Sequence, residues 1–561
     1  MHDRWLLRRP ALLILSLLSA CAAANPTTGG SAPRPPGALS VAFGDYLVGR
    51  FAESQMDLPR AASALREALA ADSSNTHLLR QAFGAALLAG RPDAVALAAR
   101  LPDNQAAQLV LADAAARAGN WAEAARRFQN LPNAGLTQLT QPLLVAWAEQ
   151  GAGNTTAAET ILQPLASGPR FRGVYALHAA MIADLAGDAA AASRDYAVAE
   201  ANFGGTNLRL ARILASWEAR QGNVAKAGHI LDGLAGGRGG LAMAVPALKA
   251  AMMARPVNSA VDGLAETYLA LAASVQQQNG GQFTLMLLRL ALSLRPDFTE
   301  ARLLLANVVD GGRHPAAAMA VLAKVPANDP LQPLVMLRRA SLLAREGQTA
   351  ASRALLEKLA ARFPLSAEPY AVLGDLLRER SRFAAAATAY TQAIDRTPNP
   401  GRNDWTLFYD RGIAYDHAGN WTAAEADFKR ALALDPSQPY VLNYLGYSWA
   451  EKGRHVTQAR TMIQRALQLQ PGDGAIIDSL GFVMLRQGQT AAAVQTLQKA
   501  VQLMPEDATI NGHLGDAYWA AGDRLQAQFQ WRRALSMNPS PAERVKLLAR
   551  LQSGPPAHGT N

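Results

Sequence analysis

Apolar and polar residues follow one another along much of the chain with the period of an amphipathic α-helix, and short polar turns interrupt this pattern at regular intervals. Residues 410–436, DRGIAYDHAGNWTAAEADFKRALALDP, show the unit. Gly412 and Tyr415 lie on a first predicted helix, and Gly419 begins the turn. The second helix ends before Pro436, because proline cannot donate a hydrogen bond inside a helix. The pattern predicts two antiparallel helices joined by a tight turn.

This unit recurs with nearly constant length. Glycines equivalent to Gly412 follow at spacings of 34, 35 and 34 residues, and they are Gly446, Gly481 and Gly515. The closing prolines are spaced by 35, 34 and 34 residues, and they are Pro436, Pro471, Pro505 and Pro539. Upstream, turn glycines recur at spacings of 34, 34 and 35 residues, and they are Gly119, Gly153, Gly187 and Gly222. Repetition at this length indicates stacked helix pairs.

The unit resembles the tetratricopeptide repeat (TPR), a helix–turn–helix of 34 residues. The resemblance implies an all-α, TPR-type solenoid of roughly 14 helix pairs. Small residues permit close contact between the two helices of a pair, and examples are Gly446, Gly481, Ala459, Ala493 and Ala527. Large apolar residues are available to fill the space between neighbouring pairs, and these are Trp449, Leu497, Phe529 and Trp531. One pair cannot bury its apolar faces alone, so stability arises from stacking.

The strength of the repeat pattern divides the chain into predicted segments. A glycine-rich stretch at 233–262 interrupts the period, and it predicts either an irregular linker or a distorted repeat. On either side lie an N-terminal TPR-like array at 41–232 and a C-terminal TPR array at 263–540. A capping helix is expected at 541–552, with Arg544, Lys546 and Arg550 on its solvent side, and a disordered tail is expected at 553–561.

The first residues have the three-part layout of a secretory signal peptide at 1–20: a basic start, an apolar run and small residues before Cys21. The apolar run has nine residues, whereas a membrane-spanning helix needs about 20. Cys21 is the only cysteine of the 561 residues, and LSAC at 18–21 resembles a bacterial lipobox. That resemblance implies acylation of Cys21, for example with palmitate. Because Ala22 follows, it also implies the periplasmic face of the outer membrane. Residues 21–40, rich in Pro, Gly, Ser and Thr, predict a flexible tether.

The net charge and the absence of catalytic motifs limit the classes of function that the sequence supports. The net charge is +10, and removal of residues 1–20 deletes three arginines and one aspartate, which leaves +8. No dense run of Lys or Arg is present, so we expect a weak attraction to anionic surfaces and no nucleic-acid partner in an exported protein. HExxH, GxSxG and GxxxxGK[ST] motifs do not occur. The sequence therefore predicts a binding protein that is not an enzyme and has neither a cofactor nor a metal site.

The TPR resemblance implies that the first helices of successive units line a concave groove. Its expected partner-binding residues are Tyr409, Asp416, His417, Asn443, Tyr447, Asp478, Phe482, Arg486, Asp516 and Trp519. Aromatic side chains mixed with acids and one arginine suit an extended peptide or a partner's helix. His417, His455 and His513 also fall on repeats, where we interpret them first as surface or packing residues.

Several stretches go beyond the generic repeat. They are ARPVNSAVDGLAETYLALA at 254–272, LRLALSLRPDF at 288–298, LNYLGYSWAEKG at 442–453, GAIIDSLGFVMLRQGQ at 474–489 and INGHLGDAYWAAGD at 510–523. Together they resemble a proteobacterial family of long TPR outer-membrane lipoproteins. Some members of that family are adaptors that bring a periplasmic carboxyl-terminal processing protease to cell-wall hydrolases.

The family resemblance implies a lipid-anchored scaffold that binds periplasmic proteins, with a processing protease and cell-wall enzymes as the expected partners. An alternative is a component or activator of an envelope-assembly machine for peptidoglycan synthesis, polysaccharide export or outer-membrane export. The sequence does not separate these two functions, because binding grooves are defined by shape more than by motif.

Overall fold

The computed structural model describes residues 38–132, 137–203, 207–236, 240–276, 281–311 and 314–555. The predicted signal peptide, Cys21 and most of the predicted tether lie outside these residues, as does the end of the predicted tail. The first helix begins at Ala38, inside the segment expected to be a tether.

The described residues form two compact units, and the boundary between them along the chain lies between Pro369 and Tyr370. The N-terminal unit contains the helices α1 Ala38–Ser54, α2 Leu58–Ala71, α3 Thr76–Ala89, α4 Ala94–Ala98, α5 Gln105–Arg117, α6 Trp121–Gln129, α7 Thr137–Gly151, α8 Thr155–Ala166, α9 Arg172–Ala186, α10 Ala189–Asn202, α11 Leu208–Arg220, α12 Val224–Asp232, α13 Leu241–Ala250, α14 Ala260–Gln276, α15 Gly281–Leu294, α16 Thr299–Gly311, α17 Pro315–Leu322, α18 Gln332–Arg345 and α19 Thr349–Arg362. A 3₁₀ turn at Gly233–Gly236 precedes α13.

The C-terminal unit begins within the next helix. Its helices are α20 Glu368–Glu379, α21 Phe383–Asp395, α22 Trp405–His417, α23 Trp421–Leu434, α24 Pro439–Glu451, α25 Val456–Leu469, α26 Gly474–Arg486, α27 Thr490–Leu503, α28 Ala508–Ala520, α29 Arg524–Ser536 and α30 Pro541–Ser553. A 3₁₀ turn at Arg402–Asp404 precedes α22.

The predicted all-α solenoid is confirmed. Across the described ranges there is no β-strand, and the thirty helices form fourteen consecutive pairs together with the single helices α13 and α30. The turn glycines adopt the left-handed conformation that ends a first helix, with φ between 78° and 86° at Gly119, Gly153, Gly187 and Gly222. None of the helices in this part of the chain is both long and apolar enough to cross a membrane.

Close contact within each pair has the expected cause. A Cβ atom added to Gly412 would lie 2.6 Å from the ring of Phe428, and one added to Gly481 would lie 2.6 Å from Leu497. Ala459, Ala493 and Ala527 are fully buried, and Trp449, Leu497 and Trp531 are buried as expected. The prediction was wrong for Phe529, which is 57% exposed on α29, because the buried face of that helix is formed by Ala527, Trp531 and Ala534.

The helices α14 and α15, called the inner helix pair below, pack across the first helices of earlier pairs. α14 contacts α7 and α9, and α15 contacts α3 and α5. The hydroxyl group of Tyr268 on α14 donates a hydrogen bond to Asp113 on α5 at 3.0 Å, although the two residues are 155 positions apart. Arg117 of α5 donates to the carbonyl oxygen of Ser293 of α15 at 3.4 Å. The side of the N-terminal array formed by its first helices is therefore covered by α14 and α15.

Buried polar groups fix the inner helix pair further. Arg209 of α11 donates to Glu266 of α14, with Nε 2.9 Å from the carboxylate, and to Glu300 of α16 at 3.2 Å. The side chains of all three residues are at most 14% exposed. Deeper in the same unit, the indole nitrogen of Trp147 donates to Nδ1 of His178 at 2.9 Å. Burial lowers the pKa of His178 to about 3, so its ring stays neutral and accepts this bond.

The division between the units differs from the one that the sequence indicated. The glycine-rich segment at 233–262 was expected to be an irregular linker or a distorted repeat between two arrays, and the boundary of the compact units lies elsewhere, at 369/370. The physical reason is the inner helix pair, which follows the glycine-rich segment and packs back onto α3, α5, α7 and α9. Within the segment, α13 packs on α12 and α18, and residues 237–239 lie outside the described ranges.

Candidate partner-binding groove

The first helices of the C-terminal pairs lie side by side. α24 contacts α26, and α26 contacts α28, in addition to the contacts that each makes with its own second helix. The first helices of successive pairs therefore form one continuous side of the stack. All ten predicted groove residues lie on α22, α24, α26 or α28.

Three aromatic rings from three successive first helices form a cluster. The ring of Tyr447 on α24 lies 4.9 Å from that of Phe482 on α26, measured between centroids, and Phe482 lies 4.9 Å from His513 on α28. The Tyr447 and His513 rings are 6.1 Å apart. Tyr447 and Phe482 are half-buried, whereas His513 is buried. Half-buried rings held in place by a buried partner are typical of a surface that binds apolar side chains.

A buried ion pair supports this cluster from beneath. Nδ1 of His513 lies 3.0 Å from both carboxylate oxygens of Asp478, whose side chain is fully buried. Burial by itself would lower the pKa of His513, but the charge and hydrogen bond of Asp478, together with the charge of Asp516, raise it above its usual value. The hydroxyl group of Tyr447 lies 3.5 Å from the other ring nitrogen, Nε2. Burial raises the pKa of Tyr447 well above its usual value, so this hydroxyl stays protonated.

Two of the predicted groove acids do not face a partner. The carboxylate of Asp478 is used by His513, and Asp516 accepts from the indole nitrogen of Trp531 at 3.0 Å. Asp516 also pairs with Arg550 of α30 at 2.7 Å. The expectation that Arg550 lies on the solvent side was wrong, because this contact draws it inward to 18% side-chain exposure. Both acids hold neighbouring helices together.

Trp519 belongs to the end of the stack. Its ring lies 5.4 Å from that of Trp531, and the Arg524 guanidinium lies 3.5 Å above it. A Cβ atom added to Gly554, the residue after α30, would lie 2.2 Å from the Trp519 ring. The ring therefore packs against the segment that closes the C-terminal unit, and it does not join the aromatic cluster.

The predicted residues of α22 form a separate group. Tyr409 packs with ring centroids 6.0 Å from Phe428 and 6.1 Å from Tyr444. Asp416 accepts from the hydroxyl group of Tyr444 at 3.1 Å and from Lys452 at 3.3 Å. His417 is exposed, and its ring stacks on Phe383 at 4.6 Å.

Asn443 and Arg486 remain half-buried on the groove-lining helices. The side-chain oxygen of Asn443 on α24 is buried and accepts no hydrogen bond from the residues that the structure describes. Arg486 lies in the last turn of α26, near Gly453. Searching the same residues for three or more His, Cys, Asp or Glu side chains that could hold a metal ion found none.

The structure thus unites Tyr447, Phe482 and Asp478, and it adds His513, which sequence reasoning did not include in the groove. The position of His513 in the sequence could have indicated that it belongs to this cluster. It lies three residues before Asp516 and therefore on the same face of α28, and it follows Asp478 by 35 residues, one repeat length. Periodicity alone gave no reason to prefer an ion pair over ordinary packing.

Comparison with known proteins supports the repeat assignment in the C-terminal part of the chain. One tetratricopeptide-repeat model matches residues 337–399 and 409–474, and a second matches residues 484–551. A TPR repeat-containing protein of Pseudomonas aeruginosa is 26% identical over 196 residues, which are 35% of this chain. The alignment spans only 32% of the length of that relative.

Solved structures also match the chain, at low identity and with TM-scores below 0.5. The Cut9–Hcn1 hetero-tetramer of APC/C matches with a TM-score of 0.39 and 15% identity, over 92% of this chain and 97% of that one. MamA from Desulfovibrio magneticus RS-1 matches with a TM-score of 0.27 and 20% identity, over 31% of this chain and 96% of that one. The helix pairs show an all-α solenoid of the tetratricopeptide-repeat type, and the direct matches to that family lie at residues 337–399, 409–474 and 484–551.

Proposed function

We propose that the protein is a scaffold whose C-terminal groove binds an extended segment or a helix of a partner protein. The observation that carries this proposal is the aromatic cluster of Tyr447, Phe482 and His513. It spans three successive first helices, and the ion pair with Asp478 keeps it in place. Aromatic anchors in a desolvated centre contribute much of the binding energy at protein interfaces.

The distribution of free surface supports the choice of the C-terminal unit. In the N-terminal unit the inner helix pair already packs on the first helices α3, α5, α7 and α9. A partner would have to displace it together with the buried contacts of Tyr268 and Arg209. The first helices α24 and α26 of the C-terminal unit carry the half-buried rings of Tyr447 and Phe482.

In its sharper form the proposal concerns the cell envelope. Cys21 carries the lipid anchor, the protein lies at the periplasmic face of the outer membrane, and the groove brings a carboxyl-terminal processing protease to cell-wall hydrolases. The lipobox-like LSAC at 18–21 and the family-like stretches between 254 and 523 support this form. Binding two partners on one scaffold would raise their effective concentration to about the millimolar range.

Affinity capture from envelope extracts tests the proposal. The bait is the full chain, compared with a soluble Cys21→Ser form and with a Tyr447→Ala/Phe482→Ala form. The control is Phe529→Ala, which removes an aromatic ring that is 57% exposed outside the groove. We expect the same periplasmic proteins with the full chain, Cys21→Ser and Phe529→Ala, and their loss with the groove variant at a temperature at which that variant is still folded.

Two results would contradict the proposal. If the groove variant retains its partners, the aromatic cluster is not the binding surface. If integral membrane proteins of envelope assembly are captured in place of a protease and wall hydrolases, the adaptor function is wrong even though the groove is used.

A further inference from the structure

The first helix, α1, carries an exposed apolar stripe. Phe43, Leu47 and Phe51 follow one another at intervals of four residues and are 62%, 51% and 65% exposed, and Val48 beside them is 41% exposed. Residues four apart lie on one face of a helix, so these side chains form one continuous strip along α1. The opposite face of α1 packs on α2, where a Cβ atom added to Gly49 would lie 2.5 Å from Leu65.

This stripe is unusual for its place in the fold. Terminal helices of repeat proteins normally present a polar outer face, because no further repeat covers them. The stripe contains no acidic residue, and the charged group at its edge is Arg50, which pairs with Glu53 on the neighbouring face. A contiguous exposed apolar surface marks a site of interaction with another molecule or with a membrane.

The position of α1 favours a lipid surface as the occupant, and this argument rests on the anchoring at Cys21 that was proposed above. Sixteen residues, 22–37, separate Cys21 from the first residue of α1. Sixteen residues span at most about 58 Å even when fully extended. α1 is therefore held within reach of the bilayer that contains the anchor. The charge of +8 that remains after removal of residues 1–20 adds a weak attraction to anionic headgroups.

We propose that the stripe of Phe43, Leu47, Val48 and Phe51 binds the surface of the bilayer next to the anchor, with α1 lying in the plane of the headgroups. An interfacial helix binds in this way through its apolar face, without spanning the membrane. The lipid on Cys21 holds the protein at the membrane, and the stripe determines the orientation of the N-terminal unit relative to the bilayer.

Flotation with vesicles of equal parts phosphatidylglycerol and phosphatidylethanolamine tests this inference. The protein is the unlipidated chain, residues 22–561, so that binding does not depend on Cys21. We expect it to float with the vesicles, and we expect Phe43→Gln/Phe51→Gln to lower its partition coefficient at least tenfold. The matched control is Leu525→Gln/Phe529→Gln, which alters two residues of α29 that are also four apart and exposed by 77% and 57%. The control should bind as the unmodified chain does.

Other outcomes overturn the inference. Equal binding by both variants would mean that charge alone holds the protein on the vesicles. If vesicles do not bind, and light scattering shows a dimer that Phe43→Gln/Phe51→Gln converts to a monomer, a second copy of the chain covers the stripe. Palmitate labelling of Cys21 and partner capture by Phe43→Gln/Phe51→Gln are measured separately. Failure of the stripe is therefore distinguished from failure of the anchor or of the groove.

Discussion

Gly263 of α14 lies directly on the indole ring of Trp147 of α7, so closely that a Cβ atom on the glycine would be 2.1 Å from the ring. Trp147 is fully buried. We expect Gly263→Ala to force this contact apart and to lower the free energy of unfolding of the N-terminal unit by about 1–3 kcal/mol, as overpacking does elsewhere. Hydrogen exchange measured on α7 and α14 would detect the change.

The control for Gly263→Ala is Gly84→Ala on α3, where an added Cβ atom meets nothing within 4 Å. Since alanine favours a helix over glycine by up to about 1 kcal/mol, this variant should be neutral or slightly more stable. Equal protection of α7 in both variants would contradict the packing of α14 on α7.

Arg209→Met removes the cation between Glu266 and Glu300 and leaves two buried carboxylates with less compensation. Breaking a buried ion pair on one side costs about 3–5 kcal/mol. We expect the denaturant midpoint of the N-terminal unit to fall accordingly, with faster exchange in α11, α14 and α16. The exposed pair of Arg353 and Glu357 gives the comparison, since Arg353→Met should cost less than about 1 kcal/mol.

The His513–Asp478 pair predicts a dependence of stability on pH. The pKa of His513 is raised in the folded protein, since Asp478 and Asp516 outweigh both burial and the opposing charge of Arg550. A raised pKa stabilises the fold fully below the unfolded value of about 6.5, and this contribution is lost as the pH rises through the folded value. Denaturation of the C-terminal unit should therefore become easier as the pH rises through that range.

His513→Gln should flatten this pH profile. His455→Asn is the control, because His455 is exposed on the same unit and its positive φ of 49° suits asparagine. A profile that keeps its slope in His513→Gln would show that another group titrates.

Ala493→Leu tests the packing within one repeat. Ala493 is fully buried between α26 and α27, so a larger side chain should overpack the contact and cost about 1–3 kcal/mol. Ala491 lies two residues earlier on the exposed face of α27, and Ala491→Leu should leave the melting temperature nearly unchanged. Equal melting curves for the two variants would argue against this helix pair.

The repeat period predicted the pairs, the turns and their order because each is local. Gly412 contacts Phe428, which lies sixteen residues later in the sequence, and the same sequence separation recurs between Gly481 and Leu497. The period could not predict the inner helix pair, because a repeat specifies contacts with its neighbours and not with a helix 155 residues away, as between Tyr268 and Asp113. The stretch containing Gly263 and Tyr268 was distinctive in sequence, but the sequence did not indicate which helices it contacts.

The candidate groove was predictable in part for the same reason. Position in the repeat put Tyr447 and Phe482 at equivalent places on successive first helices, and their rings lie 4.9 Å apart. Position in the repeat could not show that Asp478 pairs with His513 and that Asp516 pairs with Arg550. Ion pairing between adjacent helices depends on rotamers and burial. Acids at groove positions were therefore interpreted as ligand contacts.

The inner helix pair also sets an order of events when the chain is made. The helices α3 to α9 leave the ribosome well before α14 and α15 follow. Until then Trp147 is not covered by Gly263, and Asp113 accepts no hydrogen bond from Tyr268. Until the inner helix pair has been made, the apolar side chains that it covers stay exposed, so this stage of biogenesis is where a chaperone would be needed and where truncated chains would aggregate.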